Sequence, residues 1–328
     1  MLEAFRALGG VAENIQGGSS SGLGLHVQDA GRPVSLFVPH NLYFAWDDIE
    51  FIDGDMRLKG SANVGPGERK FFEAYSRAFS WGAGGGGETA RFVASLDTLP
   101  PEICELLETQ FDMPELFQGE RAERTKECFL RGRRFRWRGK DWFVPIAEQA
   151  RHGSGGLAPA LDSSGRFCVQ GAVSGEVLVL RGAYDTLDMY FTFGLVEPQD
   201  QAYSLAVGVK DSAINIHIRR NTAKSVKRGP FLVPEVAREE GALTFSFLMI
   251  GNVKLPRLSR GIFFDLARDT PIAKPDEAFD YALFVNRTRL LQLLGALESH
   301  RGEAVIALRK VAHIQLERIS HCIGTRDL

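Results

Sequence analysis

Three runs between residues 142 and 198 decide the fold: WFVPIAEQARHG (142–153), ALDSSGRFCVQGAV (160–173) and GEVLVLRGAYDTLDMYFTFGLVEP (175–198). Phe143-Val144-Pro145-Ile146 is a short apolar run closed around a proline. Residues 166–173 and 177–180 are β-rich and bounded by glycines, which predicts two strands. Ser174-Gly175-Glu176 supplies the turn between them. Residues 186–193 space aromatics and aliphatics closely and stop at Gly194, as a short helix ended by a glycine does.

Working outward, the 328 residues suffice for two domains, or for one with an elaboration. A hydrophobic share of 44% and a charged share of 24% are those of an ordinary globular chain, and a net charge of −2 argues against a globally basic nucleic-acid binder. Cys104, Cys128, Cys168 and Cys322 are widely spaced and form no CxxC pair. That favours reduced thiols and a cytoplasmic home over a disulfide framework or a zinc site. No apolar run approaches the ~20 residues of a membrane span. The start, MLEAFRALGGVAENIQ, lacks the basic and apolar regions of a signal peptide.

In order, residues 2–8 predict a short amphipathic helix with Leu2, Phe5 and Leu8 on one face. Ser21-Gly22-Leu23-Gly24-Leu25-His26-Val27 is a glycine-punctuated strand, and residues 34–39 are a strand closed by proline. Residues 67–80, 100–111 and 121–130 predict helices. The glycine run at 82–87 lacks a following Lys-Ser/Thr and is expected to be a linker or mobile lid. From Arg134 a period of two puts Arg134, Arg136 and Arg138 on one face and Phe135 and Trp137 on the other. This is either a basic strand for nucleic acid or a solvated hairpin with its aromatics in the core.

Past Pro198, residues 203–209 and 213–218 alternate as strands, and two long helical patterns follow, roughly 280–300 and 303–323. Leu290, Leu291, Leu293, Leu294 and Leu297 give the first an apolar face, and Ala304, Ile306, Ala307, Val311 and Leu316 the second. A short turn at 299–302 fits an antiparallel pair. His313 and His321 lie eight apart near Cys322 and are expected to be solvated, not metal ligands.

The order of these motifs resembles a SET domain, closest to the subgroup of Rubisco large-subunit lysine methyltransferase. That subgroup reads P-[LM]-A-D-x-x-N-H where this chain has Pro145-Ile146-Ala147-Glu148-Gln149-Ala150-Arg151-His152. Its G-E-x-[IV]-x-I-x-Y-G segment is similar to the eight residues from Gly175-Glu176 to Arg181-Gly182, and its E-L-x-x-x-Y-G-F to those from Asp188 to Leu195. Its opening E-G-x-G-L-x-A resembles the segment around Gly22-Leu23-Gly24, and its S-R-x-F resembles Gly132-Arg133-Arg134-Phe135. The resemblance implies an α+β fold: a SET-like β domain over 1–200 with a helical insertion at about 55–130, then a mainly helical substrate-binding lobe over 201–328.

It also implies S-adenosylmethionine as cofactor, held near Gly22, Leu23, Gly24, Arg133, Glu148, Arg151 and His152, with no metal. The implied acceptor is a protein lysine or another amine, and no membrane partner is implied. Three polar positions depart from the family. Arg151 stands where the family has asparagine, and matching its Y-G pairs to Arg181-Gly182 and Phe193-Gly194 puts Arg181 and Phe193 where it has tyrosines, the first segment being one residue shorter here. A cationic Arg181 would repel an ammonium substrate. Tyr184 and Tyr190 are the candidates to replace those hydroxyls. Four readings stay open: a SAM-dependent N-methyltransferase, a SET-like enzyme whose Arg151 and Arg181 bind an anionic substrate, an inactive protein-binding module, and a nucleic-acid binder using residues 131–140.

Overall fold

The alternation at Val34–Val38 becomes a strand with Val34, Leu36 and Val38 buried and Ser35 and Phe37 half-buried. It sits inside an antiparallel sheet of order Val11–Glu13, Val34–Val38, Phe167–Gly171, Ala160–Leu161. Cys168 pairs with Phe37 and Val169 with Leu36, so the early strand is locked to one some 130 residues later. The computed structural model describes residues 1–17, 24–52, 55–79, 85–180, 182, 184–222, 224–228 and 231–323. Among them are nine α-helices: α1 (Leu2–Ala7), α2 (Pro66–Phe79), α3 (Gly85–Leu96), α4 (Pro101–Gln110), α5 (Arg121–Arg131), α6 (Thr186–Phe193), α7 (Leu258–Ala267), α8 (Pro275–Leu297) and α9 (Glu303–Ile323). With the short strands they make an α+β chain. No helix among these residues is long and apolar enough to cross a membrane.

The chain divides into two compact units, residues 1–93 with 120–181, and residues 94–119 with 182–328. The sequence predicts a boundary at 200, with the insertion at about 55–130 kept within the first domain. In the structure the division falls at 181/182, and α4 groups with the C-terminal residues. The first unit packs around Phe5, Leu36, Val38, Phe44, Phe72, Phe143 and Val179. Phe72 of α2 meets Phe44 and Phe143 edge-on, at 4.7 and 6.1 Å between ring centroids, a favourable aromatic geometry.

In the second unit the described residues between 201 and 252 form short strands joined by turns, so the lobe expected to be mainly helical is helical only in its later part. Ala242–Phe245 pairs with Val236–Glu239 antiparallel and with Asn215–Ile218 in parallel. The helical pair α8 and α9 follows, with Leu290, Leu293 and Leu297 buried.

Several expectations change here. Residues 82–84 lie outside the described residues, but Gly85-Gly86-Gly87 form the first turn of α3 and are not linker. Glu88 in that first turn favours the helix N-terminus. Arg138 leaves the strand face. At φ +49° it makes, with Gly139 at +74°, the two-residue turn joining Arg134–Trp137 to Lys140–Phe143. Its guanidinium lies 4.5 Å over the Trp137 ring, and Arg136 forms a bidentate pair with Asp141 at 2.8 Å. The hairpin aromatics Phe135, Trp137 and Trp142 pack with Tyr43, as the solvated-hairpin reading requires. On α8 Leu291 is 48% exposed, and on α9 Ile306 is 59% exposed, because the 3.6-residue period buries Ala304, Val305, Leu308, Val311, Ala312 and Ile319 instead. His313 and His321 are exposed.

Candidate functional site

The site segment begins with an unusual turn. Ile146 has φ +67° and ψ −54°, and the Ala147 amide donates to the Pro145 carbonyl at 2.8 Å. This is the strained γ-turn, here centred on a β-branched residue. A 3-10 turn, Ala147–Gln149, follows, and the chain then extends as Arg151–Leu157. That strand runs parallel to Leu178–Val179, with Arg151 opposite Leu178 and His152 opposite Val179. The register then slips, and Leu157 also faces Val179. Glycine is required in the slip: a Cβ at Gly156 would lie 2.7 Å from the Leu178 carbonyl carbon and oxygen.

The third segment joins them. Val27 donates to the Gly175 carbonyl at 2.8 Å, and Val177 donates to Leu25 at 2.7 Å, so the chain around Glu176 bridges antiparallel to His26. At Gly24, φ is +152°, and a Cβ would meet Glu176 Oε1 at 3.1 Å and His26 Nε2 at 3.4 Å. The other Glu176 oxygen lies 3.5 Å from Arg151 Nη1. Gly24, His26, Glu176 and Arg151 are thereby gathered in the first unit, from three places far apart in sequence. The Arg151 side chain keeps half its surface exposed, while His152 is buried. Gly22 and Leu23 lie outside the described residues.

Arg133 and Glu148 form a second group. Arg133 Nε lies 2.9 Å from Glu148 Oε2, and its guanidinium stacks 3.9 Å over Phe129. Glu148 Oε1 accepts from the Tyr75 hydroxyl at 2.5 Å. The charges of Arg133 and Glu148 are thus matched to each other. Burial, with Glu148 beside it, holds the Tyr75 pKa well above the usual phenol value.

Tyr184 and Tyr190 belong to the second unit. The Tyr184 ring meets Phe193 edge-on at 5.4 Å. Tyr190 is buried on α6, and that burial, with Glu303 nearby, raises its pKa. Arg181 lies outside the described residues. Next to the tyrosines is a cluster the sequence reading missed. Asp185 caps α6: it accepts from the Asp188 amide at 2.9 Å, and Asp188 accepts from the Asp185 amide at 3.1 Å. Arg220 donates to Asp185 Oδ1 at 2.7 Å and to Asp188 Oδ1 at 2.9 Å. Gln315 of α9 and the Tyr203 amide donate to Asp185 Oδ2 at 2.6 and 2.8 Å. The D-T-L-D spacing is a capping-box signal that could have found the two aspartates.

No family model matches the chain, and no curated protein matches it. Among solved structures, the SET domain of LSMT bound to lysine and AdoHcy is similar at 13% identity and a TM-score of 0.40, over 98% of this chain and 89% of that one. Rubisco LSMT bound to AdoMet is similar at 12% identity and a TM-score of 0.40, with the same coverage. A likeness at that level establishes neither fold nor activity.

Proposed function

We propose that the chain is a SET-like, S-adenosylmethionine-dependent N-methyltransferase acting on a protein lysine or a small amine. One observation carries this reading: the motif segments 24–27, 151–152 and 175–179 meet, Gly24 against Glu176 and Glu176 against Arg151. A donor pocket assembled from two separated halves of sequence needs that meeting.

The residues fit such a donor. Gly24 has no side chain, and this lets the Glu176 carboxylate and the His26 ring close against the backbone beside Arg151. Arg151 offers a half-exposed guanidinium, whose fork suits the carboxylate of the cofactor. When bound, the cofactor supplies a methyl group on a cationic sulfonium. Glu176 orients the Arg151 guanidinium, and the pairing of His152 with Val179 fixes the direction of the strand that carries it. Arg133 and Glu148 support the turn ahead of that strand.

The test is incubation with methyl-labelled S-adenosylmethionine and a panel of protein and small-amine acceptors. Label is expected on an acceptor nitrogen; no labelled product on any acceptor counts against the reading. Arg151 also favours a second reading, in which the same pocket takes a small carboxylate without methyl transfer. Unchanged carboxylate binding in Arg151→Ala would remove it.

A further inference from the structure

Tyr75 lies on α2, 71 residues before the strained turn at Ile146, and periodicity marks it only as a core residue. Its side chain is fully buried, yet its hydroxyl does more than fill space. It accepts from the Ile146 amide at 3.1 Å and from Gln149 Nε2 at 2.9 Å, and it donates to Glu148 Oε1 at 2.5 Å. Glu148 is tied in turn to Arg133, which donates to the Phe129 carbonyl at 3.1 Å. A single phenol oxygen therefore grips the backbone of the strained residue and two side chains of the turn after it. A β-branched residue at positive φ persists only where its surroundings over-determine it. Here the hydroxyl of Tyr75 is one of those constraints.

We infer that Tyr75 is a positioning residue: it clamps the Pro145–Gln149 turn so that the chain leaves it with Arg151 opposite Leu178 and beside Glu176. The clamp is a matter of geometry within the first unit. Its effect on a ligand rests on the proposed donor pocket.

The test compares Tyr75→Phe with Tyr43→Phe, since Tyr43 is another buried tyrosine of the same unit, with its hydroxyl donated to the Gly165 carbonyl at 3.2 Å. Two readouts are taken on the full chain: hydrogen exchange of the Ala147, Glu148, Gln149 and Ala150 amides, all hydrogen-bonded within this segment, and titration with S-adenosylmethionine. Loss of a buried hydroxyl with a charged acceptor should speed exchange at those amides, and weaken the cofactor, by about tenfold or more in Tyr75→Phe. Tyr43→Phe should leave both within about twofold, because its hydroxyl bonds elsewhere. Equal exchange at 147–150 in the two variants overturns the clamp. Should Tyr75→Phe not fold, Gln149→Leu removes one arm of the same contact and is expected to speed exchange by about threefold; no change there also overturns it. Should the unaltered protein not bind S-adenosylmethionine, the donor-pocket reading fails, and the exchange comparison alone decides on Tyr75.

Discussion

Each compact unit buries an ionic cluster, and the two are built for different ends. In the second unit Asp185 and Asp188 share Arg220, and Gln315 and the Tyr203 amide close the ring of donors around Asp185. That cluster joins α6, α9 and the strands between them, and its charged atoms face one another. In the first unit Glu148 is shared by Tyr75 and Arg133, but the segment it steadies runs on to Arg151, whose guanidinium is half exposed. The first unit also carries a strained backbone at Ile146, whereas the second begins its helix with a full capping box. Buried charges paired only with one another thus mark a hub of the fold. Satisfied charge beneath strained backbone and a half-exposed cation marks a place where a ligand is expected.

The comparison breaks first at Asp185. Asp185→Ala removes a fully buried carboxylate and leaves Gln315 and the Tyr203 amide without their acceptor and Arg220 with only the Asp188 carboxylate, so it should cost about 3–5 kcal/mol in urea denaturation. A loss below about 1 kcal/mol would say the cluster is not a hub. Next is pH. Burial and the charge of Asp185, against the pull of Arg220, push the Asp188 carboxyl up to about 7. Its folded value lies above the ordinary aspartate value of about 3.9, so its contribution to stability is fully present below that pH and is lost as pH rises through about 7. Asp188→Asn should flatten that fall, by roughly 2–4 kcal/mol between pH 4 and 8, read as the difference from the unaltered protein. An unchanged slope would contradict it.

A smaller effect is expected at Glu148. Glu148→Gln keeps an acceptor for Tyr75 but removes the charge facing Arg133, which retains its place over Phe129. Thermal denaturation should show a loss of about 1–3 kcal/mol, below that of Asp185→Ala; a larger loss would make the two clusters equivalent. The smallest belongs to the hairpin. Arg136 is exposed despite its bidentate pair with Asp141, so Arg136→Ala should change stability by less than about 0.5 kcal/mol. A larger loss would mean that an exposed pair rivals the buried clusters.

Much of the architecture was legible because apolar periodicity and glycine placement report local structure directly. The strands at Val34–Val38 and Phe167–Gly171 alternate in sequence and in burial. Gly194 ends α6 in the left-handed conformation that its position implied. Ile306 was misjudged because a broad apolar face does not say which of its edges meets a neighbour. Arg138 was placed on a strand because alternation cannot see that a two-residue turn needs positive φ.

Of the candidate site, the sequence named Gly24, Arg151 and His152, and the fold brings Gly24 and Arg151 to the same Glu176 carboxylate. Neither Tyr75 nor Arg220 carried a local signal: the partners of the Tyr75 hydroxyl lie 71–74 residues away, and the carboxylates paired with Arg220 lie 32–35 away. Pairing of buried polar groups across such distances is set by the fold and not by the neighbouring sequence.

In the proposed donor site the Arg151 guanidinium, held by Glu176, binds the carboxylate of the cofactor. Calorimetric titration of S-adenosylhomocysteine into the unaltered protein and into Arg151→Gln tests it most directly. Saturable one-to-one binding is expected, weakened by about tenfold or more without the guanidinium. No saturable heat in the unaltered protein, or equal affinity in the two, would contradict it.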